Sequence, residues 1–270
     1  MLMMKIDELK ELLLDELARC KGRASLFMEI NGEIIEFNSN HVYQSASLIK
    51  LPILYAALRL VDKGVLSLKK LVPIRETDEV GDTGVLQVLM VDQLSVQDLL
   101  ALMIIVSDNT ATNLVIDEIG MGEINSKIAL LGMDQTVLKR KMLDFNAIKN
   151  GNDNFTTARD TVACLKEGTA GSTLTNHSKG IFQTLLKQQQ LKDKLRACLD
   201  EPRIEAGNKT GELPGVEHDC GFIFDEKTQI HVAILIDQLN DPEAGRTTIR
   251  QIGKHINDFI CRDMTRTKQI

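Results

Sequence analysis

Apolar residues recur at threes and fours through most of the chain, and strand-like runs occur only near its two ends. The helical spacing begins at residues 1–22, where Ile6, Leu9, Leu13 and Leu17 fall on one face. The same spacing predicts six helices in the middle of the chain and one at its end. These are 47–62, 95–106, 109–119, 123–131, 156–166, 179–186 and 245–260.

Two pairs of short β-rich runs flank this helical middle. Runs 24–30 and 33–38 are joined by Asn31-Gly32, a pair typical of hairpin turns, and runs 221–225 and 230–237 by a polar turn. The order predicts an α/β (α+β) fold, in which an antiparallel sheet formed by the N- and C-terminal segments is flanked by helices and carries an inserted all-helical lobe. We expect a single domain over 1–270, with an α/β lobe of about 1–45 and 190–270 and a helical lobe of about 46–189.

Composition narrows the class of protein. The chain has 270 residues, 43% of them hydrophobic, and a net charge of −6. Because it has no long basic run and no long apolar stretch, we expect no nucleic acid and no membrane among its partners. The N-terminal segment lacks the uninterrupted apolar core of a secretory signal, and the five scattered cysteines suit a reducing compartment. These features favour a cytoplasmic protein, or an extracytoplasmic one if a leader was removed, and they leave the oligomeric state open.

Three short motifs carry the candidate chemistry. They are Ser47-Leu48-Ile49-Lys50, Ser107-Asp108-Asn109 and Lys209-Thr210-Gly211, in that order. Each is weak alone, and a second serine and lysine three apart occur at Ser67-Leu68-Lys69-Lys70. The ordered set, however, is the signature of class A β-lactamases and penicillin-binding proteins. Ser67 is the poorer choice because it follows Gly64 in a loop-like stretch.

The first motif can provide an activated nucleophile. Ser47 begins an apolar helix, and Lys50 at i+3 shares its face. A lysine that is partly desolvated beside a second cation, here Lys209, can lose its proton near neutral pH and act as the base. The free N–H at the helix start could join an oxyanion hole. The plainer alternative is that Ser47 caps the helix and Lys50 is a surface charge.

The other two motifs can bind and protonate a substrate. Ser107 and Asn109 could pass a proton to a leaving group and hold an amide, while Asp108 caps the helix that follows. Lys209, Thr210 and Gly211 would place a cation, a hydroxyl and a residue without a side chain along a strand edge, which suits an anionic substrate. The alternatives are a plain N-cap and a plain turn.

The chain resembles the penicillin-recognising serine hydrolases, and within them the class A β-lactamases. The likeness is densest over 94–114 (LSVQDLLALMIIVSDNTATNL), and it extends to 209–224 and 154–157. It implies an acyl-enzyme on Ser47, with Lys50 as base and Ser107 as proton shuttle. It further implies that Asn109 binds the substrate amide, that Lys209 and Thr210 bind its carboxylate beside Gly211, and that the backbone N–H groups of Ser47 and Glu212 form the oxyanion hole.

One departure from the family concerns release of the acyl group. Class A enzymes use a glutamate to activate the hydrolytic water, with an asparagine four residues later. When Asn146 is aligned with that asparagine, as a substrate-binding residue, Met142 occupies the glutamate's position. A thioether cannot act as the base. The nearest acid is Asp144, which is either a replacement deacylation base or a solvated loop residue.

Three functions are compatible with these residues. The first is a β-lactamase-like serine hydrolase that opens β-lactam rings, with slow or altered deacylation. The second is a penicillin-binding-protein-like acyltransferase or esterase acting on an intracellular ester or peptide. The third is a non-catalytic ligand-sensing domain. The expected partner is a small β-lactam, or a related amide or ester with a carboxylate. The five histidines are dispersed, so we expect no metal and no cofactor.

Overall fold

The computed structural model describes residues 6–201 and 203–264. The helices are α1 (Ile6–Arg19), α2 (Lys50–Asp62), α3 (Val96–Ile105), α4 (Asn109–Ile119), α5 (Met121–Leu130), α6 (Phe145–Lys149), α7 (Ala158–Ala170), α8 (Asn176–Lys187) and α9 (Pro242–Met264). The strands are β1 (Arg23–Ile30), β2 (Glu33–Phe37), β3 (Tyr43–Gln44), β4 (Leu71–Pro73), β5 (Gln93–Ser95), β6 (Phe155–Thr156), β7 (Glu205–Leu213), β8 (Val216–Phe224) and β9 (Gln229–Asp237).

Both ends of the chain contribute to one antiparallel sheet of five strands. Its order is β2-β1-β9-β8-β7, so that β1, near the N-terminus, pairs with β9 along its whole length. The register begins at Arg23 opposite Asp237, and these two side chains also form an ion pair. The predicted α/β fold with a terminal-segment sheet is therefore confirmed.

The sheet separates two hydrophobic cores. Alternate side chains of β9 point to opposite faces: Ile234 packs with α1 and α9, whereas Leu235 packs with the helices of the middle segment. The larger core surrounds α2, ten of whose thirteen residues are buried. A helix that is apolar on nearly all sides belongs in the centre of a lobe, and α2 lies there among α3, α4, α5, α7 and α8.

The predicted helices all occur, with ends shifted by a few residues. The part of the N-terminal helix predicted over 1–5 lies outside the described residues. Two short ladders in the middle, β3 with β6 and β4 with β5, were not predicted, so this lobe is not helical throughout. Their strands have only two or three residues, too few to show a hydrophobic period. Within the described residues, no helix is both long and apolar enough to cross a membrane.

Candidate active site

The first motif forms the entrance to α2. Residues Ala46–Ile49 make a single 3₁₀ turn, so Ser47 precedes the α-helix instead of beginning it as predicted. Ala46 has a left-handed backbone (φ 44°), which is uncommon for a residue with a Cβ. This turn leaves Ser47 partly exposed on the cleft wall and directs Lys50, the first residue of α2, into the interior.

Lys50 is fully buried and bonded entirely to the second motif. Its Nζ donates to Ser107 O at 2.7 Å, to Asn109 Oδ1 at 2.9 Å and to Ser107 Oγ at 3.1 Å. Burial, together with the nearby charge of Lys209, holds the pKa of Lys50 well below its ordinary value. The surface-charge alternative for Lys50 is therefore wrong, and its surroundings favour loss of the ammonium proton more than water would.

The second motif is a strained connection between α3 and α4. Ser107 has a left-handed backbone (φ 57°), which is sustained by the hydrogen bonds on its carbonyl and hydroxyl oxygens. Asp108 caps α4 by accepting from the backbone N–H of Ala111 at 2.8 Å. Its other oxygen accepts from the N–H groups of Val85 and Leu86, both at 2.7 Å. The predicted N-cap is confirmed, and Asp108 also fastens a neighbouring loop.

The third motif lies on β7 and reaches both of the others. Lys209 is fully buried, and its Nζ donates to Ser107 Oγ at 3.0 Å and to Thr210 O at 2.8 Å. Burial lowers the pKa of Lys209 to about 8. Gly211 lets the strand approach Ser47, because a Cβ there would lie 3.3 Å from Ser47 N and 3.2 Å from the Ala46 Cβ. The third motif is thus a strand, and the alternative of a plain turn is wrong.

An ion cluster continues from Glu212, the next residue of β7. The Glu212 carboxylate pairs with Lys194 at 2.9 Å and with Arg246 of α9 at 3.3 Å. Lys194 has no exposed surface, and its Nζ also lies 2.5 Å from Glu217, a buried carboxylate of β8. The cations therefore balance the acids at this end of the cleft. Sequence spacing gave no signal for Lys194 or Arg246, which come from different segments.

Residues 138–154 form the loop that carries Met142. Arg140 and Asp153, near its two ends, are joined by a buried ion pair, with Nε 2.7 Å from Oδ1. The amide of Asn113, on α4, holds the backbone of Met142 on both sides: its Oδ1 accepts from Met142 N at 2.7 Å, and its Nδ2 donates to Met142 O at 3.2 Å. Met142 is buried and lines the cleft. Asn113 could have been noticed in the sequence as a polar residue four after Asn109 on the same helix face.

The structure does not bring Asp144 and Asn146 to the cleft wall. The Asp144 carboxylate accepts from Ala147 N at 2.9 Å and so caps α6, and its side chain is exposed. Asn146 is exposed in the first turn of α6. Neither belongs to the lining that Ser47, Ser107, Asn109, Thr210 and Glu212 share. This placement favours the surface reading of Asp144 over the catalytic one.

The remaining sequence candidates lie elsewhere. Ser67 is exposed in the loop after α2, where its hydroxyl accepts from Lys69 N at 3.3 Å, and Lys70 pairs with Glu118. Of the histidines, His218 and His231 are buried in the sheet. Within residues 6–201 and 203–264, no group of three potential ligands is placed to hold a metal ion.

Comparison with known proteins agrees with this geometry. A profile described as the beta-lactamase enzyme family matches residues 6–260. The chain is 26% identical over 242 residues to β-lactamase BRO-1 of Moraxella catarrhalis. This alignment covers 85% of this chain and 77% of that protein.

Solved structures extend the likeness to the whole fold. A β-lactamase of Sphaerobacter thermophilus superposes with a TM-score of 0.86 at 28% identity, covering 96% of this chain and 98% of that one. The protein PBP-A superposes with a TM-score of 0.85 at 25% identity, covering 95% and 97%. The buried lysines, the three motifs around one cleft and these matches lead to one conclusion: the chain belongs to the β-lactamase enzyme family and is a β-lactamase-like serine hydrolase.

Proposed function

We propose that this hydrolase forms an acyl-enzyme on Ser47 with β-lactams and releases the acyl group slowly. The observation that supports the proposal most is an imbalance across one cleft. Lys50, Ser107 and Lys209 form a continuous buried hydrogen-bonded set beside Ser47, whereas the loop opposite presents Met142 where a general base would be needed.

The acylation step uses groups that are already in place. Neutral Lys50 accepts the Ser47 proton as the Ser47 oxygen bonds to the lactam carbonyl carbon. The N–H groups of Ser47 and Glu212 receive the developing oxyanion, and Lys209 with Thr210 holds the substrate carboxylate. When the ring C–N bond breaks, the proton passes through Ser107 Oγ, which lies 3.1 Å from Lys50 Nζ, to the lactam nitrogen.

Release of the acyl group requires a water and a base to activate it. The Met142 thioether cannot take that proton. Asp144 is committed to capping α6 and lies outside the cleft lining. We therefore expect the ester on Ser47 to outlast its formation by a wide margin. The similarity to PBP-A supports the related possibility of a penicillin-binding-protein-like acyltransferase or esterase.

Five free cysteines support a further part of the proposal, residence in a reducing compartment such as the cytoplasm. Cys164 and Cys220 are fully buried, and burial raises the pKa of the Cys164 thiol. Buried thiols of this kind are unreactive structural residues. Cell fractionation with an antibody against the protein tests this part, and recovery from the extracytoplasmic fraction would contradict it.

Intact-mass spectrometry after mixing with benzylpenicillin, sampled from seconds to hours, tests the central proposal. We expect a lasting adduct of one penicillin mass that maps to Ser47. Ser47→Ala should remove it, and Ser67→Ala, in the second serine–lysine pair, should leave it intact. Rapid clearance with continuous penicillin consumption would refute slow release. The absence of any adduct would refute acylation by penicillin and would turn attention to esters or to a sensing role.

A further inference from the structure

Among the described residues, the lining of the cleft includes one carboxylate that takes part in no ion pair. Three ionisable side chains line the cleft: Asp82, Arg140 and Glu212. Arg140 is paired with Asp153, and Glu212 with Lys194 and Arg246. Within the described residues, the exposed Asp82 carboxylate has no ion-pair partner within 4 Å.

The backbone around Asp82 is held firmly against the Ser107-Asp108-Asn109 loop. Asn109 N donates to Thr83 O at 3.2 Å, and Asn109 Nδ2 donates to Gly81 O at 3.3 Å. Thr83 Oγ1 donates to Ser107 O at 2.9 Å. Because Asp82 lies between two residues fixed in this way, its side chain stays close to Asn109.

Two further observations show that this loop has a defined, closely packed conformation. Gly84 (φ 109°) packs directly on Asp108, because a Cβ there would overlap the Asp108 side chain at 2.1 Å. Asp82 itself is left-handed (φ 74°), a conformation that Asn and Asp tolerate better than most other residues with a side chain. The Asp82 carboxylate also interacts electrostatically with the buried Lys50: burial lowers the pKa of Lys50, and Asp82 raises it.

We infer that Asp82 selects acyl donors whose acyl side chain carries a positive charge. The inference rests on the proposed function, in which Asn109 holds the amide of that side chain and so directs it toward the Asp82 wall. A substrate ammonium there gains an attractive partner, and a substrate carboxylate meets repulsion from a carboxylate that is not ion-paired. The substrate class is thus an amide or lactam with an ammonium group on the acyl portion.

Three penicillins that differ at one carbon provide the probe. Ampicillin carries an ammonium, benzylpenicillin is neutral and carbenicillin carries a carboxylate at the same position. The measurement is the second-order rate constant of acylation of the full-length protein, from intact mass, at a pH of about 6.5, below the ordinary α-amino pKa of about 7.7–8.0. We expect the order ampicillin, benzylpenicillin, carbenicillin, with an ampicillin to carbenicillin ratio of about ten, since the attraction and the repulsion add.

Two changes should reduce that ratio. Asp82→Asn keeps the left-handed backbone and should lower the ratio about three- to tenfold, and high salt should lower it in the native protein but not in the variant. The control is Asp92→Asn, which removes the same charge from an exposed residue outside the cleft and should leave the ratio unchanged. The salt series needs no variant, so the inference stays testable if Asp82→Asn folds poorly.

The outcomes separate the two proposals. Equal acylation by all three penicillins, or an equal effect of Asp92→Asn, overturns the role of Asp82 and leaves acylation on Ser47 standing. A failure of all three penicillins to label Ser47 overturns the proposed function, and the inference with it.

Discussion

The two walls of the cleft differ in what they lack. On one wall, Lys50, Ser107 and Lys209 form a complete set of buried charge-assisted hydrogen bonds beside Ser47. On the other, the loop of residues 138–154 is equally well fastened, by the Arg140–Asp153 ion pair and by the Asn113 amide on Met142. The lysine wall therefore has both a fixed conformation and groups that can transfer protons. The loop wall has a fixed conformation, but Met142 stands where a proton acceptor would be needed.

The difference separates the requirements of shape from those of reactivity. The loop is held by hydrogen bonds to the Met142 backbone and by the Arg140–Asp153 ion pair, and not by the side chain at position 142. That position can therefore carry a thioether instead of an acid while the loop keeps its conformation. The lysines permit no such exchange, because each supports the other's hydrogen-bond network. Single substitutions in the loop wall should therefore be able to speed release of the acyl group. Single substitutions of the lysines should only slow acylation.

The largest expected effect is on the lysine wall. Lys50→Ala removes the proposed base and three hydrogen bonds to the second motif, and it should slow acylation by benzylpenicillin about 10²–10⁴-fold. Lys70→Ala, which alters the second serine–lysine pair, is the matched control and should have little effect. An acylation rate within tenfold of the native protein in Lys50→Ala would show that the base lies elsewhere.

The loop wall should gain activity. Met142→Glu places a carboxylate on a backbone fixed by Asn113 and facing the cleft, and it should speed clearance of the acyl-enzyme about 10- to 100-fold. Met142→Gln is the control, since it has nearly the same shape and no base. If both variants clear the adduct at the same rate, the missing base does not limit release. Thermal unfolding of each variant checks that the newly buried polar group leaves the fold intact.

The pH dependence compares the two lysines within one wall. Lys50 must be neutral to accept a proton, so acylation should rise with pH through its lowered pKa. Lys209 must be charged to hold the carboxylate, so acylation should fall through its pKa of about 8. The measurement is the acylation rate constant from pH 5 to about 9.5, where a bell-shaped profile reports both groups. A fluorophosphonate, which has no carboxylate, should show the rise without the fall.

The smallest expected effect is at Asp144. Because its carboxylate caps α6, Asp144→Asn preserves the cap and should change acyl-enzyme clearance less than about twofold. Asp144→Ala should lower the free energy of unfolding by about 1 kcal/mol, again with little effect on clearance. A tenfold slower clearance in Asp144→Asn, at unchanged stability, would establish this carboxylate as the replacement base.

Sequence reasoning was most successful where information is local. Helical periodicity located every helix of ten or more residues and missed only the five-residue α6, which is too short to show a period. The Asp108 cap follows from its place before an apolar run, and three motifs located one wall of the site. It was least successful where contacts join distant segments. Lys194 and Arg246 come from segments far from Glu212 in the sequence, and no spacing pattern predicts that they pair with it. The Arg140–Asp153 ion pair likewise forms only when the loop between them is folded. Asp144 illustrates the limit: only coordinates show which of its two possible roles its carboxylate takes.

The pairing of β1 with β9 has a consequence for how the protein is made. Ser47 follows the first hairpin closely, but β1 has no inner neighbour until the last strand has been synthesised, more than 200 residues later. Contacts so distant in sequence require closure of a very long loop and slow the search for the native state. The growing chain therefore carries Ser47, the proposed nucleophile, long before it carries Lys209, and in a ribosome-bound chain that stops short of β9 this serine lacks the buried lysines that would activate it. Catalytic competence begins only with completion of the sheet.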